Sequence, residues 1–357
     1  MDRPEKRSEF LSFLETEGFD QVYLQLPNRT GVPARLGNAG EDGSAGDAGL
    51  RSLHSLIAAI RGLGPEVHAL DGHATFVLPD KQDQVLRTIR DLAVFNAAVP
   101  QGQRFTGVHY DIEPYLLPGF GGSRRDELLR RYLELLARMA VEVRKSDLRL
   151  GVDLPFWYDA PDELSQEPLL VTFAGQRKMM SEHVLDLVDE VTLMDYRTSA
   201  YGPDGILFHA AGELEYAARV GKKIFIGLET GPLPDEVSLT FAGEARTGMP
   251  SASQRGEVIF LSPRGSEATL LMVREDQRAD FQRLLAAQPE LRGDLRFWVV
   301  SGRAEIPATK LTFAQLGSGA LSAAMRQVVH ELRASPSFAG FALHHYTSLQ
   351  QLGSARR

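Results

Sequence analysis

The sequence predicts an α/β fold of the (β/α)8 barrel type, in which the first strand is missing or irregular. Short β-rich runs alternate with amphipathic helices, polar residues follow nearly every run, and only seven good runs are found where a barrel has eight. The chain also opens on a helix around residues 10–14, where a barrel would open on a strand. The seven runs are 21–26, 67–70, 107–113, 148–154, 190–196, 223–229 and 338–346.

The helices between these runs carry apolar residues three and four positions apart. The clearest covers 128–143, and Ser123 followed three residues later by Asp126 resembles a capping box at its start. A second helix is predicted over 85–93. Helices that alternate with short strands favour a parallel sheet, either doubly wound or closed as a barrel. The barrel is favoured because polar residues stand at so many strand ends.

One long segment interrupts the alternation. Residues between the runs 223–229 and 338–346 are too many for a single helix and include further β-like runs. We expect a small α+β insertion there that forms one wall of a substrate cleft, since long insertions in compact domains are usually functional. The expected divisions are barrel strands 2 to 7 in 1–235, the insertion in 236–305, and the last barrel helix and strand in 306–357.

Composition excludes several classes of function. The net charge of −8 and the lack of a basic patch argue against nucleic-acid binding. No apolar segment is long enough to span a bilayer and no signal-like start is present, so we expect a soluble chain, cytoplasmic or secreted if an upstream segment is missing. The absence of cysteine excludes disulfides and thiolate catalysis. The sequence does not fix the oligomeric state.

No cofactor is expected from the sequence. Residues 37–49 are rich in Gly, Ala and Asp, but their spacing matches neither the dinucleotide-binding nor the phosphate-loop pattern. We predict a mobile surface loop there.

The segment 106–113, TGVHYDIE, carries the strongest functional signal. Because side chains alternate along a strand, His109, Asp111 and Glu113 are expected to share one face. Carboxylates are depleted in strands and costly to bury unpaired, so the two that end this strand are predicted to be catalytic.

Other polar and aromatic residues follow the remaining runs. Active sites of (β/α)8 barrels lie where the C-terminal ends of the strands converge. Residues at these positions are therefore predicted to bind substrate, and they are Gln25, Asp71, His109, Asp153, Trp157, Asp195, His344, His345 and Tyr346.

Residues 106–113 resemble the D-G-x-D-x-D-x-E strand of glycoside hydrolase family 18, the chitinases and endo-N-acetylglucosaminidases. The Gly, the last Asp and the Glu of that pattern are kept, while Thr106 and His109 stand where the family has Asp. Residues 193–196, LMDY, are similar to the family's M-x-Y segment. The resemblance implies a (β/α)8 barrel with an α+β insertion after strand seven, and a carbohydrate substrate.

The resemblance also implies a mechanism. Glu113 would be the general acid/base, and Asp111 would orient the acetamido group that attacks the sugar C1 in substrate-assisted hydrolysis. Tyr196 would bind the same group. An N-acetylhexosamine-containing glycan follows if these two residues act in this way.

The sequence is also compatible with a second glycosidase mechanism. Glu229 ends the seventh strand of the barrel numbering, where many retaining enzymes carry a nucleophile about 5 to 5.5 Å from the acid/base carboxyl group. If Glu229 faces Glu113 at that distance, double displacement is favoured. If Glu229 is bonded to a basic residue, Asp111 keeps its role.

Two alternatives belong to other classes. The altered family pattern is compatible with a catalytically inactive carbohydrate-binding barrel. A metal-dependent hydrolase, such as a phosphodiesterase or an amidohydrolase-like barrel, would need a set of oxygen and imidazole ligands. The candidate ligands are Asp71, His73, His109, Asp111, Glu113 and His344.

Overall fold

The structure, a computed structural model, describes residues 3–26, 43–120, 124–159, 169–243, 245–248, 250, 256–264, 267–287 and 295–354. The chain divides into two compact units, of which the larger comprises Met1–Pro232 with Leu311–Arg357 and the smaller comprises Leu233–Lys310. In chain order the larger unit begins with α1 (Pro4–Glu17), β1 (Gln21–Gln25), α2 (Gly43–Gly62), β2 (Glu66–Asp71), α3 (Pro79–Ala97), β3 (Gly107–Tyr110), α4 (Arg125–Val143), β4 (Arg149–Pro155), β5 (Leu170–Phe173), β6 (Gln176–Met179), α5 (Met180–Leu187), β7 (Glu190–Met194), α6 (Ile206–His209), α7 (Ala211–Val220) and β8 (Lys223–Glu229).

The smaller unit follows with β9 (Glu236–Phe241), β10 (Arg246–Thr247), β11 (Val258–Arg264), β12 (Glu267–Val273), α8 (Arg278–Ala287) and β13 (Arg296–Ile306). The larger unit resumes with α9 (Gly317–Leu332), β14 (Phe338–His344) and α10 (Tyr346–Ser354).

A seven-stranded parallel sheet forms the centre of the larger unit, in the order β1-β2-β3-β4-β7-β8-β14. Each strand corresponds to one of the seven predicted runs. The prediction of an α/β fold built on a parallel sheet is therefore confirmed. Among the described residues no eighth strand joins this sheet.

The sheet is strongly curled. The strands β1 and β7 are separated by three others, so in a flat sheet they would lie about 19 Å apart. Instead, the Gln21 amide donates a hydrogen bond to Glu190 Oε1 over 2.8 Å. The hydroxyl groups of Tyr23 and Thr192 also lie 3.3 Å apart. The polar side chains on the inner face of the curl therefore meet across it.

The outer face of the sheet is apolar and packs against the helices. Alternate residues of the strands point this way, as period-two geometry requires. Their side chains are fully buried in the main hydrophobic core. They are Val67, Ala69, Val108, Tyr110, Leu150, Val152, Leu154, Val191, Leu193, Ile224, Ile226 and Leu228.

The helices next to the two edge strands pack on each other. The ring of Tyr346, at the start of α10, meets Phe10 edge-on with centroids 4.9 Å apart and Phe13 at 5.1 Å. The Gln350 amide donates to Glu9 Oε1 over 2.5 Å. The first helix of the chain, predicted from the sequence, is thus joined to the last one.

Three local predictions need correction. The strand predicted over 107–113 ends at Tyr110, because Pro114 lacks an N–H group and opens a 3-10 turn, Pro114–Leu116, that ends the extended segment. The predicted loop 37–49 is helical from Gly43 onward, where α2 begins, and its earlier part lies outside the described residues. The hairpin of β5 and β6 was not predicted.

The start of α4 was predicted from a capping box at Ser123, which lies outside the described residues. The helix runs from Arg125 with Asp126 and Glu127 in its first turn, where negative charge stabilises the helix dipole.

The smaller unit is an antiparallel sheet with one helix. Its order is β10-β13-β11-β12, and β9 pairs with β13. A separate small core consists of Val258, Phe260, Val273, Leu285, Leu295 and Phe297. The boundaries predicted at 236 and 305 stay predictions, as does the wall of a substrate cleft in this segment.

The larger unit holds the two points at which the chain leaves it and returns. The Thr312 hydroxyl donates to the Gly231 carbonyl over 2.6 Å, and the Phe313 N–H donates to the Glu229 carbonyl over 3.0 Å. Residues 231 and 312 are therefore neighbours. In the part of the chain that the structure describes, no helix has the length and apolar character needed to cross a membrane.

Candidate active site

Side chains from the C-terminal ends of β3, β4, β7, β8 and β14 form one group, here called the carboxylate cluster. The pKa of Asp111 responds to Glu113, Asp153 and His344, and the pKa of Tyr196 responds to the same carboxylates and to Glu229. Mutual electrostatic influence of this kind requires proximity. The cluster consists of Asp111, Glu113, Asp153, Tyr196, Glu229 and His344.

Glu113 has one bonded and one open carboxyl oxygen. The hydroxyl of Tyr115, on the 3-10 turn that follows, donates a hydrogen bond to Glu113 Oε1. No described residue forms a hydrogen bond with Oε2. Glu113 is half-buried, so one oxygen is held by the protein while the other remains available to a ligand.

Asp111 is held in a setting that favours its neutral form. Burial, followed by repulsion from Asp153 and Glu113, raises the pKa of Asp111 to about 7. Its Oδ1 atom is buried without a hydrogen-bond partner. Its backbone lies against Gly72, where a Cβ atom would stand 2.1 Å from the Asp111 carbonyl oxygen, so a glycine is required there. A buried polar atom without a partner needs an explanation, and a catalytic role of the side chain is one of them.

His109 lies beneath the cluster rather than in it. Its Nε2 atom is 3.1 Å from Asp153 Oδ1, and its ring packs on Tyr23 at 4.4 Å. Burial opposes a charge on His109, but the adjacent Asp153 outweighs it and raises the histidine pKa. Because His109 is only 1% exposed, the predicted substrate contact is corrected to a supporting contact with Asp153.

Glu229 is bonded to a histidine. Its Oε2 atom lies 2.8 Å from His344 Nδ1, and its Oε1 atom accepts a 2.5 Å hydrogen bond from the Gly231 N–H. Burial opposes the charge, but these hydrogen bonds outweigh it and hold the pKa of Glu229 below its usual value. The same hydrogen bond raises the pKa of His344. The two side chains therefore form an ion pair, in which His344 is the exposed partner.

Tyr196 contributes a hydroxyl group to the cluster. Its ring stacks on that of His344 with centroids 6.5 Å apart. Burial, followed by the charges of Asp153 and Glu229, raises the pKa of Tyr196, so the hydroxyl keeps its proton and can donate. Among the described residues this hydroxyl has no hydrogen-bond partner.

Trp157 forms an aromatic group with two residues that follow Glu113. Its ring meets Tyr115 edge-on at 5.3 Å and Phe120 at 6.3 Å. All three rings are half-buried. Trp157 thus lies near Glu113, as expected for a residue that binds substrate, but part of its surface packs on Tyr115.

Two predicted residues lie elsewhere in the fold. Asp195 is fully buried, and its Oδ1 atom is 3.2 Å from His209 Nδ1. The ring of Tyr346 is half-buried and packs on Phe10 of α1. The prediction for Asp195 is corrected to a structural role because its side chain is fully buried, whereas the predicted substrate contact of Tyr346 stays a prediction.

The other strand-end residues have weaker links to the cluster. Asp71 accepts a 2.8 Å hydrogen bond from the Gly72 N–H, and Gln25 is exposed at the end of β1. His345 is exposed and meets the ring of His344 edge-on at 5.0 Å. Their predicted substrate contacts stay predictions.

Tyr115 is the residue that sequence reasoning missed. It lies two positions after Glu113, and a tyrosine so close to a candidate acid could have been singled out as a hydrogen-bond donor.

The proposed metal ligands do not form a ligand set. Within the described ranges no three His, Asp or Glu side chains are placed to hold a metal ion. The His73 ring is instead 2.6 Å from the Thr75 hydroxyl.

Comparison with known proteins gives structural likenesses only. No family model matches the sequence, and no curated protein matches it. The structure is similar to a chitinase from Chromobacterium violaceum, with 13% identity, a TM-score of 0.44, and coverage of 98% of this chain and 96% of that one. It is also similar to the spore cortex-lytic enzyme SleL of Bacillus megaterium, with 14% identity, a TM-score of 0.42, and coverage of 99% and 70%.

Proposed function

We propose that this protein is a glycoside hydrolase in which Glu113 is the general acid/base. The observation that carries the proposal is the pairing of an open Glu113 Oε2 atom with a neighbouring Asp111 that has an unpartnered oxygen and a raised pKa. Two carboxyl groups in different electrostatic settings at one site are what glycosidic bond cleavage requires.

The chemistry begins with proton transfer. Protonated Glu113 Oε2 gives its proton to the glycosidic oxygen as the bond from C1 to that oxygen breaks. The electron pair of the broken O–H bond stays on the Glu113 carboxylate. That carboxylate later takes a proton from the water that attacks C1, which restores the acid.

The group that attacks C1 first is proposed to be the substrate's own acetamido oxygen. Asp111, in its ionised form, would accept a hydrogen bond from the acetamido N–H and stabilise the positive charge that develops on the cyclic intermediate. The Tyr196 hydroxyl, which has no partner among the described residues, would donate to the acetamido oxygen. The implied substrate is an N-acetylhexosamine-containing glycan.

The setting of Glu229 supports this mechanism over a Glu229 nucleophile. Both of its carboxyl oxygens are engaged, one by His344 and one by the Gly231 N–H. A carboxylate stabilised by an ion pair and a short hydrogen bond is a weaker nucleophile than a free one.

The parallel sheet supports a (β/α)8-type barrel as the scaffold. Side-chain contacts between β1 and β7 require strong curvature, and the cluster stands at the carboxyl ends of the strands, where barrel enzymes place their active sites. We propose a barrel of seven strands, in which no strand of the described residues lies between β14 and β1, where an eight-stranded barrel has one more.

The proposal is tested by hydrolysis of 4-methylumbelliferyl N,N′-diacetylchitobioside and of colloidal chitin, with and without EDTA. We expect hydrolysis that EDTA leaves unchanged. Loss of activity in EDTA that a divalent ion restores would favour the metal-dependent class. Binding of chitin oligosaccharides without any turnover would favour a carbohydrate-binding protein.

A further inference from the structure

The hydrogen bond between Tyr115 and Glu113 gives the two carboxyl oxygens of Glu113 different roles. Tyr115 donates to Oε1, so the acid proton of Glu113 belongs on Oε2, which is the open atom. A tyrosine hydroxyl has one proton to donate. This contact therefore leaves a single orientation in which Glu113 can protonate a ligand.

The Tyr115 ring is held in place from two directions. Trp157 meets it edge-on at 5.3 Å and Phe120 at 6.3 Å. The backbone around it is a 3-10 turn closed by hydrogen bonds from Leu116 N–H to the Glu113 carbonyl and from Leu117 N–H to the Pro114 carbonyl, each 3.1 Å long. A donor fixed in this way loses little entropy when it forms its bond.

We propose that Tyr115 is a positioning residue that strengthens Glu113 as an acid, an inference that depends on the proposed function. As the proton leaves Oε2 for the glycosidic oxygen, negative charge develops on the Glu113 carboxylate. The hydrogen bond from Tyr115 then changes from a neutral to a charge-assisted bond, which is roughly twice as strong. An interaction that is stronger in the transition state than in the bound substrate raises kcat.

Tyr115 keeps its own proton throughout this step. Burial, followed by the hydrogen bond to Glu113, raises the pKa of Tyr115 above its ordinary value. The hydroxyl therefore stays protonated and donates at neutral pH, and no proton passes through it.

The test is Tyr115→Phe, which removes the donor and keeps the ring that packs on Trp157. We expect kcat for 4-methylumbelliferyl N,N′-diacetylchitobioside to fall by about 10²- to 10³-fold with KM changed less than about twofold, by analogy with removal of one oxyanion donor. A purely structural role would change KM or the free energy of unfolding together with kcat.

The matched control is Tyr201→Phe. Tyr201 donates a 3.0 Å hydrogen bond to Glu331, but both residues are exposed and lie outside the cluster. We expect its kcat, KM and pH profile to equal those of the wild type.

A readout without substrate keeps the inference testable whatever the true glycan is. In protein labelled with ¹³C at the glutamate carboxyl carbon, the Glu113 resonance is the one that disappears in Glu113→Gln. We expect its chemical shift to change in Tyr115→Phe, because the carboxyl group has lost a hydrogen-bond donor, and to stay at the wild-type value in Tyr201→Phe. An unchanged chemical shift in Tyr115→Phe would overturn the inference.

The positioning role of Tyr115 and the catalytic role of Glu113 can be disproved separately. If Glu113→Gln is inactive while Tyr115→Phe keeps the wild-type kcat and the wild-type Glu113 chemical shift, the role of Tyr115 is wrong and the proposed function stands. If Glu113→Gln hydrolyses the glycan normally, both are wrong.

Discussion

Asp111 and Glu113 are chemically similar carboxyl groups one residue apart, yet the protein places them in different surroundings. Asp111 has a buried oxygen without a partner, and its pKa is raised to about 7. Glu113 has one oxygen bonded to Tyr115 and the other open. The difference arises from burial and the nearby charge of Asp153 at Asp111, and from the Tyr115 hydroxyl at Glu113.

The raised pKa of Asp111 predicts a pH-dependent cost in stability. A carboxyl group whose pKa rises from 3.8 when unfolded to about 7 when folded stabilises the fold fully below pH 3.8 and loses that contribution as the pH rises through 7. Asp111→Asn removes the titration. Its free energy of unfolding relative to the wild type should therefore increase by about 1 to 3 kcal/mol between pH 4 and pH 8.

Urea unfolding at several pH values measures this difference. Asp147→Asn, at an exposed position between α4 and β4, is the control and should follow the wild type at each pH. A constant difference between Asp111→Asn and the wild type across this range would show that Asp111 is not held protonated by its surroundings.

At the scale of elements, the strands and most long helices could be predicted, and the ends of the strands could not. The β run 223–229 agrees with β8 to the residue, because apolar residues and flanking turns mark it clearly. The end of β3 was placed three residues too late. Alternation continues through Ile112 in the sequence, whereas β2, whose last residue Asp71 pairs with Tyr110, ends at that level.

The grouping of the candidate residues could be predicted in part, because it follows from the positions of the strands. Glu113, Asp111, Tyr196 and Glu229 stand at strand ends, which converge in any curled parallel sheet. Contacts such as those of Asp195 with His209 and of Tyr115 with Glu113 depend on loop conformations. The periodicity of apolar residues does not predict these contacts.

Because α1 packs on α10, a single substitution at their contact is expected to lower the free energy of unfolding substantially. Phe10 is 4% exposed and meets Tyr346 edge-on, so Phe10→Ala removes a buried ring. We expect the free energy of unfolding to fall by about 3 to 5 kcal/mol. Urea unfolding followed by circular dichroism measures the change.

Phe208→Ala is the matched control, because Phe208 is 65% exposed. Its effect should stay within about 0.5 kcal/mol, as for most surface substitutions. Equal effects of the two substitutions would mean that α1 does not contribute to the packed core.

At the scale of the whole molecule, the chain leaves and re-enters the larger unit at adjacent points. The 2.6 Å hydrogen bond between Thr312 and Gly231 brings the two sides together. A short Gly/Ser linker in place of residues 233–310 should therefore span the gap without strain. We expect this deletion variant to unfold cooperatively with a far-ultraviolet spectrum typical of an α/β protein.

The deletion variant also tests a prediction made from the sequence, that this segment contributes to glycan binding. In that case KM for colloidal chitin should rise while the variant remains folded. A variant that aggregates or lacks a cooperative transition would contradict the independence of the larger unit.

Catalysis by Glu113 is the central claim, and turnover by Glu113→Gln tests it most directly. The amide keeps the shape of the side chain but cannot supply a proton, so kcat should fall by about 10²- to 10⁴-fold. The thermal unfolding midpoint and the affinity for chitin oligosaccharides should remain close to those of the wild type. Glu134→Gln, on the exposed face of α4, should keep full activity. Hydrolysis by Glu113→Gln at the wild-type rate would contradict the account.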